Sequence, residues 1–277
     1  MYRGLFWWVG ALLFLGAFSL ALGKEEMVQC PSATGVNIKN AYTMETFILV
    51  DQTTYFPQEV RDNIERNAMN LIKPGMIVHV MGFSTYSDKH YTSHTLTERV
   101  SRELNDGETY NLSVKGVEQY KKCIQAKQPF LRAKVLESIR GLYREKNEVV
   151  LRSDILWALQ NISKNAIAPS PHGAKIVLIA SDLLENSSFG TFYAGGTLRK
   201  IDPDAEMAKV KKERLLGGFG NSFVFVIGAG LVEEGKGAHR DHRTLSSLRG
   251  FWEEYFKESN GKLVSMGMPV LERMIGE

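Results

Sequence analysis

Thr46-Phe-Ile-Leu-Val50 is an uncharged run rich in β-branched side chains, and an acid, Asp51, closes it. A strand with one face in water would alternate apolar and polar residues. An unbroken run instead predicts a strand buried on both faces, as in a parallel sheet. The same signature recurs in Met76-Ile-Val-His-Val-Met81 and in Lys175-Ile-Val-Leu-Ile-Ala180, which ends on Ser181-Asp182. It recurs again in Ser222-Phe-Val-Phe-Val-Ile227, stopped by the turn Gly228-Ala-Gly230, and Gly261-Lys-Leu-Val-Ser-Met266 supplies a candidate last strand.

Helical patterns separate these runs. Pro57 opens one in which Val60, Ile64, Ala68 and Leu71 recur at helical spacing, and Lys73-Pro-Gly75 ends it. Ser153-Asp154 precedes Ile155, Leu156, Leu159 and Ile162, with Ser153 placed as an N-cap. Met207 to Leu216 reads as helix. Thr244 to Glu258 carries Leu245, Leu248, Trp252, Tyr255 and Phe256 on one side, a core-facing stripe. Thr95 to Leu104 allows an edge strand or a helix, Asn105-Asp-Gly107 signals a turn, and Asn186 to Gly196 reads as a polar loop. Tyr110 to Asn147 is helical, with Phe130, Lys134, Ile139 and Leu142 as candidates for packing. Buried strands alternating with amphipathic helices predict an α/β fold: a mostly parallel central sheet with helices on both faces, a Rossmann-like three-layer sandwich.

The bulk composition sets outer limits. The chain has 277 residues, 44% of them hydrophobic, which suffices for one sizeable core. A net charge of +3 gives no argument for a nucleic-acid partner. Arg3 followed by an apolar run from Leu5 to Leu22, then Ala21 and Gly23 as small residues before Lys24, reads as a signal peptide over 1–23. The run sits at the lower limit for spanning a bilayer, so a retained membrane anchor is the alternative. Either way the body is expected outside the cytosol, periplasmic or secreted. Residues 24–40 read as a linker or tail and 41–277 as the domain, with a helical insertion around 110–147. Cys30 and Cys123 either pair or remain two thiols; their spacing does not decide.

Chemistry is expected where strands end in polar residues, because ligands of open α/β sheets bind beyond the carboxyl ends of the strands. Val50→Asp51 and Ala180→Ser181-Asp182 are two such exits. Carboxylates and hydroxyls together are hard oxygen ligands suited to Mg²⁺. Taken singly, Asp51 and Asp182 also read as turn caps and Thr53 as a turn hydroxyl.

On these residues the chain resembles a von Willebrand factor type A domain. Ile48-Leu-Val-Asp-Gln-Thr53 resembles the first strand, where the family carries Asp-x-Ser/Thr-x-Ser at its metal-ion-dependent adhesion site. Ser153-Asp154-Ile155, running into Ala158-Leu159, resembles the segment that supplies the family's Thr. Ile176-Val-Leu-Ile-Ala-Ser-Asp-Leu-Leu-Glu-Asn186 resembles the fourth strand with its second Asp, and Phe223-Val-Phe-Val-Ile-Gly228 the strand after it. The resemblance implies a Mg²⁺ site of Asp51, Thr53, Ser153 and Asp182, with an open position for a carboxylate of a partner protein. One departure is plain: the third hydroxyl falls on Tyr55, too long to stand for Ser, with Thr54 adjacent but expected to point elsewhere. Leu248-Arg-Gly-Phe-Trp-Glu-Glu-Tyr-Phe256 also resembles segments of type A-like proteins carried by bacterial mobile elements.

Other motifs carry less. His239-Arg-Asp-His242 packs two imidazoles and a carboxylate into a Gly-rich stretch, His79 reads as a hydrogen-bonded core residue, and His90 and His94 flank Tyr91 in an expected loop. No nucleophile elbow, Walker A loop or dinucleotide glycine pattern is present. Three functions follow as expectations. The first is an exported, non-enzymatic binding module with a Mg-dependent protein partner. The second is a metal-dependent hydrolase of phosphoesterase type using Asp51, Asp182 and Glu185. The third is a structural subunit of an envelope assembly or secretion system with a vestigial metal site.

Overall fold

The computed structural model describes Cys30 and residues 42–85, 92–146, 152–171, 173–194, 197–232 and 241–276. Eight strands are formed in these segments: β1 (Met44–Asp51), β2 (Met76–Phe83), β3 (Thr92–Arg99), β4 (Ala174–Ala180), β5 (Tyr193–Ala194), β6 (Thr197–Leu198), β7 (Ser222–Ile227) and β8 (Gly261–Met266). The helices are α1 (Gln58–Asn70), α2 (Asp106–Tyr110), α3 (Val114–Arg140), α4 (Ile155–Ile162), α5 (Pro203–Lys212) and α6 (His242–Glu258). Six strands make one sheet in the order β3-β2-β1-β4-β7-β8, and β5 and β6 pair as a separate hairpin. All neighbours in the large sheet run parallel except the edge strand β3, which is antiparallel to β2. The chain is an α/β protein with a mostly parallel central sheet flanked by helices, the class its sequence predicts.

Strand β1 shows why a continuous run was needed. Phe47 and Leu49 enter one core, with α4, α5 and α6, while Ile48 and Val50 enter the other, with α1 and α3. Alternate side chains point to opposite faces, so both sets must be apolar. On α1 the expected Val60, Ile64, Ala68 and Leu71 are all buried. On α6, Leu248, Phe251, Trp252, Tyr255 and Phe256 are fully buried, and Trp252 Nε1 donates to the Leu183 carbonyl at 3.0 Å. His79 is hydrogen-bonded, as read from its place in the strand, but half-buried rather than in the core.

The region after β3 departs in detail from the sequence reading. The edge strand spans Thr92–Arg99, and Asn105 is no simple turn but the N-cap of α2, in a reciprocal capping box with Glu108. Phe130 does not pack: it is 65% exposed. The stripe that α3 buries is Leu131, Val135 and Ile139, spaced by four, and Phe130 lies one residue off it. Lys134 instead pairs with Glu98 across to β3 at 3.1 Å. Asn186 to Gly196 contains order: Asn186 and Thr191 form a bridge, and the β5–β6 hairpin follows.

Cys30 and Cys123 form a disulfide, with Cα atoms 5.9 Å apart. Together with Tyr120 and Ile124 they make a small core of their own. Residues 1–23, read above as a signal peptide, lie outside the described residues, as do His90 and His239. Among the described residues no helix is long and apolar enough to cross a membrane.

Candidate functional site at the carboxyl rim of the sheet

Strands β1 and β4 are neighbours, in register to Val50↔Ala180. Chain order reverses between them, since β2 lies beyond β1 and β7 beyond β4. Such a switch point splays the two following segments apart and opens a crevice at the carboxyl rim. Asp51 and Ser181-Asp182 therefore leave the sheet side by side.

Asp51 is fully buried and accepts from four donors. Its Oδ1 takes the Thr53 backbone N–H at 2.8 Å and the Thr53 hydroxyl at 2.6 Å; its Oδ2 takes Thr54 Oγ1 at 3.1 Å and Ser181 Oγ at 2.6 Å. Thr53 Oγ1 lies 2.8 Å from Ser153 Oγ. With its proton on Asp51, Thr53 accepts from Ser153. Asp182 joins through Thr54, whose hydroxyl accepts the Asp182 N–H at 3.4 Å. All four residues expected from the sequence are thus drawn to one rim. Thr54 corrects the reading: it points to Asp51 rather than elsewhere, and so does Ser181. Tyr55 turns away from the acid, its ring facing Arg61 at 5.5 Å and Lys146 at 5.9 Å.

The local backbone explains the aim of Asp182. Leu183 is buried with φ of +56°, a left-handed conformation that a bulky side chain rarely takes. Such a residue costs about 1–3 kcal/mol and persists only when its surroundings dictate it. Here its N–H donates to Ser181 Oγ at 3.0 Å, and Trp252 holds its carbonyl. The turn lets Asp182 Oδ1 accept the Leu184 N–H at 2.9 Å. Gly228, at the end of β7, has φ of +103°, and a side chain there would meet the Ser181 carbonyl at 3.0 Å. The aromatic core and this glycine together shape the loop that carries the second acid.

Ser153 is not an N-cap. Helix α4 begins at Ile155, and its cap residue Asp154 makes no side-chain capping bond. Ser153 is held by two backbone bonds with Asn186, at 3.0 and 2.9 Å, which leaves its hydroxyl to face Thr53. The capping role passes to Glu185, which accepts the Leu156 N–H at 2.9 Å from far along the chain. Local spacing carries no signal of this.

Electrostatics set the acids apart. Burial raises the Asp51 carboxyl above its usual range, opposed by its hydrogen bonds from Ser181, Thr53 and Thr54. Asp182 is raised further, by burial and then by the negative charge of Asp51. Burial pushes Glu185 up to about 8, outweighing the hydrogen bonds from Ser187 and from the start of α4. Because the folded value lies above the unfolded one, Glu185 holds a proton in the native state. Its contribution to stability is complete below about pH 4.5 and is lost as pH rises through about 8. We expect Glu185→Gln to match the parent in acid and to exceed it in stability above pH 8, with a difference in slope of at most about 1.4 kcal/mol per pH unit. Urea melts across pH check this; parallel curves would refute it.

Two carboxylates and two hydroxyls within one rim suit a small divalent cation, with water completing the shell. Among the described residues no group of three or more His, Cys, Asp or Glu could hold a metal, so a rim ion would depend on the hydroxyls. Compared with known proteins, the chain matches no family model and no curated sequence.

Proposed function

We propose that the chain is an exported, type A-like binding module that engages a protein partner through the carboxyl rim of its sheet, with Mg²⁺ held by Asp51, Thr53, Ser153 and Asp182. The observation that carries this reading is the convergence of Asp51, Thr53 and Ser153, from segments a hundred residues apart, in one hydrogen-bonded chain beside Asp182. The donor set fits the ion: all four groups are hard oxygens, and the charge that raises Asp182 is the charge a cation would offset. When bound, Mg²⁺ would supply an open position for a carboxylate of the partner. The chain's own part is to fix Asp51 rigidly and to hold Asp182 beside it.

The saturation of Asp51 favours a second reading, an assembly subunit with a vestigial site. Its four acceptor positions are already occupied by protein donors. The same saturation weighs against a hydrolase, because neither oxygen is free to attack a substrate.

Titration of the purified protein with Mg²⁺ and Mn²⁺, followed by calorimetry, separates the readings. We expect one saturable site, weakened at least tenfold by Asp182→Ala, and partner capture that requires the ion. Absence of saturable binding, with partner capture intact, would leave the vestigial reading standing.

A further inference from the structure

At the opposite side of β1 from β4, two strands bring two imidazoles onto one hydroxyl. His79 Nδ1 on β2 lies 2.8 Å from Thr97 Oγ1 on β3, and His94 Nε2 lies 2.7 Å from the same oxygen. The two ring centroids are 6.0 Å apart. Behind His79, its second nitrogen faces Glu45 Oε1 of β1 at 3.8 Å, and Phe47 stacks on the ring at 4.7 Å. Glu45 is itself buried and bonded to Ser170. The His79 side chain is 18% exposed, so the ring is held by its neighbours yet keeps some access to solvent. His94 is exposed, its ring held on one side by Thr97.

We propose that His79 and His94 form a binding site for a borderline divalent cation such as Zn²⁺, distinct from the hard-oxygen rim. Imidazole nitrogens suit Zn²⁺, Cu²⁺ and Ni²⁺, not Mg²⁺. Ligating histidines commonly present their other nitrogen to a carboxylate, which fixes the ring and raises its basicity. Glu45 is placed for that role toward His79. The Thr97 hydroxyl marks the point on which both rings converge; it gives way to the ion, and water completes the tetrahedral shell. The site is distinct from the rim: Glu45 lies at the start of β1, paired with Ile77, and Asp51 at its end, paired with Phe83.

The test is titration of the full chain with Zn²⁺ alone, read by calorimetry and by the ring resonances of the histidines. We expect one equivalent to bind, broadening or shifting two histidine signals. Affinity should fall at least tenfold in His94→Ala, whose exposed side chain can be removed without disturbing the core. Glu45→Gln should weaken binding about 10–100-fold. Thr97→Ala should retain binding, since it removes the bridging hydroxyl, clears the point of convergence and leaves both ligands. Asp51→Ala should leave Zn²⁺ affinity unchanged, which keeps this result separate from the outcome at the rim. Absence of Zn²⁺ binding, or binding that survives His94→Ala, would overturn the proposal.

Discussion

Asp51→Ala is expected to abolish Mg²⁺ binding and to destabilise the protein by about 3–4 kcal/mol, because one truncation strands four donors. Those donors are the Thr53 N–H and the hydroxyls of Thr53, Thr54 and Ser181. Hydrogen bonds to a charged acceptor are worth more than neutral ones, and a buried donor left without a partner bears its full desolvation cost. The three hydroxyls can rotate toward each other, which holds the figure below the sum of four losses; the backbone N–H of Thr53 cannot. Asp51→Asn separates stability from binding. Its carbonyl oxygen still accepts from Thr53, and its amide can donate to hydroxyls that turn round to accept. We expect Asn to recover more than half of the lost stability and none of the ion affinity. Urea melts beside a Mg²⁺ titration measure both quantities. A stable Ala variant would mean that the four short contacts contribute little. An Asn variant that binds Mg²⁺ as the parent does would remove the carboxylate from the ligand set.

The parts of this site that the sequence revealed are those fixed by strand geometry. An uncharged run ending in an acid places that acid at the carboxyl end of a buried parallel strand, and Val50↔Ala180 pairing then makes Asp51 and Ser181-Asp182 neighbours. Ser153 does face Thr53, but not as the N-cap its place suggests, which is the usual reason for Ser before an apolar periodic run. What displaced it is non-local: Asn186 pairs with its backbone and Glu185 takes over the helix start. Thr54 and the left-handed Leu183 were illegible for a similar reason. Each depends on how a turn is held from another element, the Asp182 N–H donating to Thr54 in one case and Trp252 holding the Leu183 carbonyl in the other. Phe130 misled because helical spacing identifies a face only once the neighbouring element is known. The helix turned Leu131, Val135 and Ile139 inward and left Phe130 in water.

Replacing both cysteines by serine is expected to lower stability by about 2–5 kcal/mol while leaving ion affinity at the rim unchanged. The bridge closes a loop of sequence separation 93, long enough that chain-entropy arguments put its effect on the unfolded state near the upper end, about 4–5 kcal/mol. Among the described residues, a small cluster packs around it. Its core comprises Cys30, Tyr120 and Ile124, with Leu104, Leu112 and Cys123 packed beside them, and it is separate from the two cores of the sheet. The later part of α3, from Leu131 to Ile139, is anchored independently in the sheet's own core. The unbridged protein should therefore loosen first around Cys123 and Tyr120, as amide exchange would register. Site chemistry should survive because the bridge lies toward the other end of the strands. Tyr120 donates to the Arg102 carbonyl, just beyond Arg99, and Arg99 pairs with Ile77 at the start of β2; Asp51 sits at the finish of β1, opposite Phe83 at the finish of β2. Reductant should lower the melting temperature of the parent and leave the double serine variant unmoved. Loss of Mg²⁺ affinity in a folded double variant would contradict this separation, because it would couple the rim to a cluster at the far end of the sheet through strands that stay paired.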